Sequence, residues 1–149
     1  MVRSVRLADI EPADPRLLAD LLPVLLELRP QLTGQSLSAI YAEGHPQGLR
    51  FLAAYDGDRC VGVAGWRLVA TTYPGRKLYV DDLVTTEAAR SRGIGHALLA
   101  ELATRAAAAG CSFLDLDSGV RRSDAHRFYF RERMQIVSYH FAVEVPPTD

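Results

Sequence analysis

A chain of 149 residues is long enough to bury a core and short enough to be one domain, expected here over residues 1–149. Its 48% apolar and 23% charged residues are those of an ordinary globular protein, and a net charge of −1 gives no general attraction to nucleic acid or an anionic membrane. No stretch is apolar enough to span a bilayer and the first ten residues hold no signal-peptide run, so the expected location is the cytoplasm. Cys60 and Cys111 stand outside any paired motif, and His45, His96, His126 and His140 lack metal-ligand spacing. Two reduced cysteines and no metal site are expected.

In chain order, residues 4–8 read as a short strand. Asp14 followed by Pro15 starts a helix, a capping carboxylate before proline at the first helical position. Leu17, Leu18, Leu21, Leu22, Leu25 and Leu26 give it a wide apolar face, Pro23 predicts a kink, and Pro30 marks its end. Ser36 is expected to cap a second short helix that stops near Gly44. Strands over residues 50–55 and 59–72 flank Asp56-Gly57-Asp58, a hairpin signal, and Tyr73-Pro74-Gly75 turns the chain into a strand over 76–85. A helix over residues 93–109 ends at Gly110, a left-handed cap. A strand over 113–118, a helix capped by Ser123 or Asp124 and running to about residue 133, and a last strand over 135–143 complete the pattern.

The most informative stretch is Arg90-Ser91-Arg92-Gly93-Ile94-Gly95, set between a strand and an Ala-rich helix whose Ile94, Ala97, Leu98, Leu102 and Ala106 share a face. A helix N-terminus leaves backbone N–H groups unpaired, which suits a pyrophosphate. Gly93 and Gly95 let the backbone approach a ligand where a Cβ would collide, and Arg90 and Arg92 add charge able to pair with phosphate oxygens. The nucleotide fingerprints fit poorly. A Walker loop needs Gly-Lys-Ser/Thr, which is missing, and a dinucleotide loop needs a third small residue where Leu98 stands. A plain helix entry is the competing reading.

What matches is Arg/Gln-x-x-Gly-x-Gly, and on it the chain resembles the GNAT (Gcn5-related N-acetyltransferase) family. Alignment on Arg90 sets Val80-Asp81-Asp82-Leu83-Val84-Thr85 on the family's cofactor-facing strand. It sets Cys111-Ser112-Phe113-Leu114-Asp115-Leu116-Asp117-Ser118 on the next strand, and Ala125-His126-Arg127-Phe128-Tyr129 on the start of the last conserved helix. The resemblance covers residues 50–141 well and the N-terminal third by pattern only. It implies an α/β (α+β) fold with a mixed central sheet of about six to seven strands, splayed between the fourth and fifth and flanked by about four helices. It also implies acetyl-CoA as co-substrate, no metal, and direct acetyl transfer to a primary amine, with a small-molecule amine as partner. Arg90 and Ser91 open the loop, and backbone N–H groups of Arg92, Gly93, Ile94, Gly95 and His96 hold the pyrophosphate. Leu83, Val84 and Thr85 take the pantetheine arm through backbone bonds, with a Val84 or Thr85 N–H meeting the thioester oxygen.

The resemblance makes Tyr129 the general acid, a phenol of pKa ~10 able to protonate a departing thiolate of pKa ~8.5. Packing is the alternative, although Phe128, Tyr129 and Phe130 are consecutive and cannot share one buried face. Asp81 and Asp82 are the candidate bases: carboxylates in an apolar strand cost stability unless exposed or paired, and strand alternation predicts opposite faces for them. Asp81 falls on the glutamate of polyamine acetyltransferases; an ordinary carboxylate is a weak base for an ammonium, so a water relay is expected. A structural aspartate is the alternative for either. His126 stands where many members have asparagine and could bond the cofactor or cap the helix. Asp115 and Asp117 share one strand face, positioned to attract a cationic amine or to pair with Arg121, Arg122 or Arg127. Arg133 and Met134 replace the family's Gly-Phe. A non-catalytic acyl-CoA-binding module and a protein N-terminal or lysine acetyltransferase are the alternative functions, and the edge strand at the C-terminus makes a homodimer an expectation.

Overall fold

The computed structural model describes residues 4–148, which form two compact units, one ending at Leu116 and the other beginning at Asp117. The first unit holds a sheet of five strands: β1 (Arg6–Ile10), β2 (Arg50–Asp56), β3 (Arg59–Ala70), β4 (Arg76–Thr85) and β5 (Phe113–Leu116). They lie in sequence order, β1 to β4 antiparallel and β5 parallel to β4. Asp56 pairs with Arg59, so the β2–β3 turn is the tight hairpin expected, with Gly57 at φ 62°.

Five strands among the described residues is fewer than the six to seven expected. Residues 135–143, expected as a last strand, form none. Their alternation of apolar residues suits a strand, but a strand exists only where a neighbour takes its N–H and C=O groups, and no ladder forms there.

Local chemistry accounts for the helices. The first, α1, is a π-helical turn over Leu17–Leu21 running into an α-helical turn over Leu22–Leu25. The Leu22 N–H reaches back to Leu17 O, and this widened turn just before Pro23 stands where the sequence predicts a kink. Helix α2 (Gly34–Gly44) begins three residues earlier than a cap at Ser36 would place it. Thr33 is its cap, with Thr33 Oγ1 accepting from the Ser36 N–H at 3.0 Å and Ser36 Oγ accepting from the Thr33 N–H at 2.9 Å. Helix α3 (Ile94–Ala108) stops as expected at Gly110, where Gly110 and Cys111 donate back to Ala107 and Ala106. In the second unit, α4 (Ser123–Arg131) closes with the same pattern, Arg133 and Met134 donating to Phe130 and Tyr129. Here Arg133 holds φ 63°, the left-handed position that favours glycine.

One face of the sheet carries α1 and α2, whose Leu17, Leu21, Leu25, Leu37 and Tyr41 pack with Phe51, Ala53, Val63 and Val84. On the other face, Leu98 and Leu102 of α3 are fully buried, as are Leu52, Ala64 and Leu78 of the strands. Gly62 sets how closely α3 approaches. A Cβ there would stand 2.7 Å from Ile94 Cγ2 and 3.1 Å from Leu98 Cδ1, atoms of the first helical turns. Gly62→Ala should therefore cost about 1–3 kcal/mol of unfolding free energy. Urea unfolding of the variant checks this, and parent-like stability would mean that α3 has room to shift.

Candidate active site

Strand β4 is paired unequally on its two sides. Toward β3 it is matched along its whole length, Arg76 with Ala70 through Thr85 with Gly62. Toward β5 the ladder runs only from Lys77–Phe113 to Val80–Leu116. Residues 81–85 have no strand on that side among the described residues, which is the splay the sequence led us to expect. In an antiparallel strand the N–H and C=O of each residue point the same way, alternating along the chain. Because the Thr86 N–H donates to Val61 O at 3.0 Å, Val84 also points its backbone at β3, and Leu83 and Thr85 point theirs at the open edge. Of the two N–H groups considered for an acyl oxygen, that of Val84 is therefore directed at β3 and that of Thr85 outward.

The β3–β4 register also slips between Gly65 and Trp66: Asp82 faces Gly65 and Val80 faces Trp66, leaving Asp81 as the extra residue of a bulge. The bulge overturns the expected alternation. Asp82 lies on the α1 side, its Oδ1 accepting from Arg29 Nε at 2.9 Å, and a Cβ at Gly65 would stand 3.3 Å from its Oδ2. Asp81 Oδ2 accepts from Nε of Arg67 at 2.9 Å, and Arg67 is on the Gly65 face of β3. Both carboxylates therefore turn to one side. Burial pushes the Asp82 carboxyl above its ordinary range, and the Arg29 guanidinium opposes that rise. Sequence reasoning missed both arginines. The hairpin register could have suggested Arg67, but nothing local ties Arg29 to a strand fifty-three positions on.

Beyond Thr85 a short turn, Glu87–Ala89, is pinned to α1 by the Glu87 N–H donating to Glu27 Oε1 at 2.9 Å. The loop then passes through Ser91 at φ 66° and Gly93 at φ 79°, both left-handed, before α3 begins at Ile94. Arg90, Ser91, Arg92, Gly93 and His96 are exposed and Gly95 is half-buried. No side chain caps α3, and a Cβ on Gly93 would meet nothing within 4 Å, so the backbone is open to a ligand at this end. Arg92 is engaged, its Nη2 donating to Asp56 Oδ2 at 2.8 Å. Beside the loop lies a cleft of about 1050 Å³ whose lining includes the carboxylates Asp20, Glu27, Asp56, Asp58 and Glu87 and the cation Arg59.

In the second unit Tyr129 is half-buried, edge-to-face with Phe128 at 5.4 Å, and burial raises its phenol pKa. Its hydroxyl has no hydrogen-bond partner among the described residues. His126 Nε2–H donates to Gly119 O at 2.8 Å, a local tie across the turn before α4. Of the two acids expected to share a face, Asp115 pairs with Lys77 at 3.0 Å rather than with an arginine, and Asp117 lies 3.6 Å from His140 Nδ1. Arg127 pairs with Asp124. Among the described residues no cluster of three or more His, Cys, Asp or Glu could hold a metal, and no helix is long and apolar enough to cross a membrane.

The Asp82–Arg29 pair has a pH signature. A carboxyl whose native pKa is raised holds its proton more tightly folded than unfolded, so its contribution to stability falls as pH rises through the native pKa. Arg29→Gln removes the opposing charge, and neutral-pH stability should drop by about 1–2 kcal/mol. That deficit should shrink as acid neutralises Asp82. Urea unfolding at neutral and acidic pH measures it, and a deficit constant with pH would assign the loss to packing of the arginine stem.

The comparisons with known proteins agree with this geometry. Residues 16–134 match the Acetyltransferase (GNAT) family. An uncharacterised N-acetyltransferase of Bacillus subtilis, YhdJ, is 34% identical over 112 residues, 74% of this chain and 79% of that protein. A putative acetyltransferase from Agrobacterium tumefaciens superposes with a TM-score of 0.79 at 25% identity, covering 94% of this chain and 99% of its own. An integron cassette protein of V. cholerae superposes at 0.80 with 22% identity, over 96% and 94% of the two chains. A match spanning residues 16–134, most of the chain, makes this protein a member of the GNAT acetyltransferase family.

Proposed function

We propose that the chain transfers an acetyl group from acetyl-CoA directly to the primary amine of a small cationic molecule. One observation carries the reading. The outward backbone groups of Leu83 and Thr85 lead along an open strand edge to the uncapped N-terminus of α3. An amide-bearing arm can lie on such an edge as an added strand, and a pyrophosphate can sit on such an N-terminus. The residues present fit the co-substrate, since among the described residues no strand pairs with that edge and nothing lies within 4 Å of where a Cβ on Gly93 would stand.

Acetyl-CoA supplies an acyl carbon already activated as a thioester. The Thr85 N–H donates to the carbonyl oxygen as negative charge grows there. The amine nitrogen forms the new C–N bond as the C–S bond breaks. Its surplus proton passes to the Asp81–Asp82 pair, directly or through water, and burial makes Asp82 the stronger base of an ordinary aspartate's kind. Tyr129 gives its phenolic proton to the leaving sulfur and recovers one from solvent. Its raised pKa keeps that proton in place at neutral pH. Burial pushes the Cys60 thiol up to about 11, which supports direct transfer over an acyl-enzyme on that residue. The carboxylates of the cleft beside the loop support a cationic acceptor. Two free cysteines support a reducing compartment, the cytoplasm.

Thiol release from acetyl-CoA across a panel of amines tests the reading. Polycationic amines should be turned over, with KM rising as salt screens the cleft. Acetyl-CoA binding without thiol release for any amine would make the chain a binding module, and turnover of peptides alone would make it a protein acetyltransferase. Gly95→Val should weaken CoA binding by about 1–3 kcal/mol in calorimetry, as the side chain crowds the backbone approach. Unchanged affinity in the folded variant would move the pyrophosphate elsewhere. Tyr129→Phe should keep acetyl-CoA affinity and lower turnover ~10- to 1,000-fold, because only the late proton donation is lost. Parent-like turnover would leave Tyr129 as a packing residue.

A further inference from the structure

A second cavity, of about 210 Å³, lies at the other end of β2 from the hairpin at Gly57, wholly within the first unit. Strand length makes room for it. β1 pairs with β2 only as far as Ile10–Phe51, so Arg50 faces Trp66 of β3 and has no strand on its other side among the described residues. Asp9 and Glu11 where β1 leaves the sheet, Arg50 and Trp66 on the strands, and Arg105 of α3 contribute to the lining.

The hydrogen-bonding capacity of this lining is unevenly used. Arg105 is occupied: Nη1 and Nη2 donate to the two carboxylate oxygens of Asp9 at 2.7 and 3.2 Å, and Nε donates to Glu101 at 3.0 Å. The Tyr41 hydroxyl is occupied too, donating to Ile10 O at 2.6 Å and accepting from the Phe51 N–H at 3.3 Å. Three groups remain. Trp66 is 9% exposed, and its indole N–H is buried with no acceptor among the described residues. Arg50 donates through Nη1 to the His45 and Leu49 carbonyls, and its Nε and Nη2 bond to no described residue. Glu11 has Oε2 3.2 Å from His45 Nε2, and its Oε1 bonds to no described residue.

A buried N–H without an acceptor is destabilising, and folded proteins pair nearly all such donors. A guanidinium lining the same cavity adds donors of the kind that take a carboxylate. The spare carboxylate oxygen of Glu11 matches a cation instead. We propose that this cavity binds a small α-amino acid as its zwitterion, with the carboxylate on the Trp66 indole N–H and the Arg50 guanidinium and the ammonium on Glu11. A simple anion would leave Glu11 unmatched and meet its repulsion, and a simple cation would leave the indole unpaired. The size agrees, since at ~30 Å³ per water the cavity equals about seven waters, the bulk of an alanine or a serine. The site shares no residue with the edge at Leu83 and Thr85 or with the cleft beside the loop, and the inference does not depend on acetyl transfer.

Trp66 is the single tryptophan of the chain, so indole emission reports on this cavity. Titration of the full chain with alanine, alaninamide and acetate, in the absence of acetyl-CoA, tests the proposal without any variant having to fold. The expected result is a saturable change with alanine and ~10- to 100-fold weaker binding of alaninamide, which lacks the carboxylate, and of acetate, which lacks the ammonium. Arg50→Gln should weaken alanine binding by a similar ~10- to 100-fold in calorimetry, with unchanged circular dichroism. Glu11→Gln should weaken alanine and leave acetate no weaker, bringing the two affinities together. An emission that does not respond to alanine would mean that the cavity holds only water, and the proposal would be wrong. Equal affinity for alanine and either analogue would overturn it as well, as would parent-like alanine binding in folded Arg50→Gln.

Discussion

The structure depends on β4 being longer than its parallel neighbour. β5 stops opposite Val80, and β4 runs five residues further with β3 on one side and an open edge on the other. Backbone groups in the middle of a sheet are consumed by the ladder. Here every second residue keeps an N–H and a C=O directed away from β3, at Leu83 and Thr85. A surface of fixed donors and acceptors therefore needs no special side chain, only a mismatch in strand length. Everything downstream follows the line of that edge, since the chain leaves β4 through Thr86, which is bonded to β3, and enters α3 after a short loop.

Two close approaches hold this arrangement. Gly62 lets the first turns of α3 sit on β3, fixing the helix N-terminus relative to the end of β4. Gly65, three residues on, does the same for the opposite face: a Cβ there would stand 3.0 Å from Phe51 and 3.3 Å from Asp82. The bulge at Asp81 is opposite that second glycine, and it turns two consecutive carboxylates to one side of the sheet. Two acids so placed repel each other and resist burial. Arg29 and Arg67 offset that cost, one from the turn after α1 and one from β3. The acid pair is thus a four-residue network, and the basicity of Asp82 reflects burial against Arg29 rather than its own chemistry.

The cleft beside the loop sets a carboxylate-rich lining next to the uncapped N-terminus of α3. Arg92 is tied to Asp56, one of the carboxylates that line the cleft, at 2.8 Å. A helix N-terminus favours an anion and a carboxylate-rich lining favours a cation, so two neighbouring features differ in the charge they attract.

Much of this was legible in the sequence because it is local. The hairpin at Gly57, the cap at Gly110 and the strand, loop and helix around Arg90 to Gly95 are set by residues within a few positions of one another. So is the family resemblance, which rests on contiguous motifs. Other features were decided only when the chain closed on itself. The bulge that turns Asp81 and Asp82 to one side comes from pairing with β3, and Arg29 reaches Asp82 only because α1 packs over that face. Residues 135–143 make the same point in reverse. Their alternation specifies a strand, but a strand is completed by a partner's N–H and C=O groups, and the sequence of one segment cannot say where those come from.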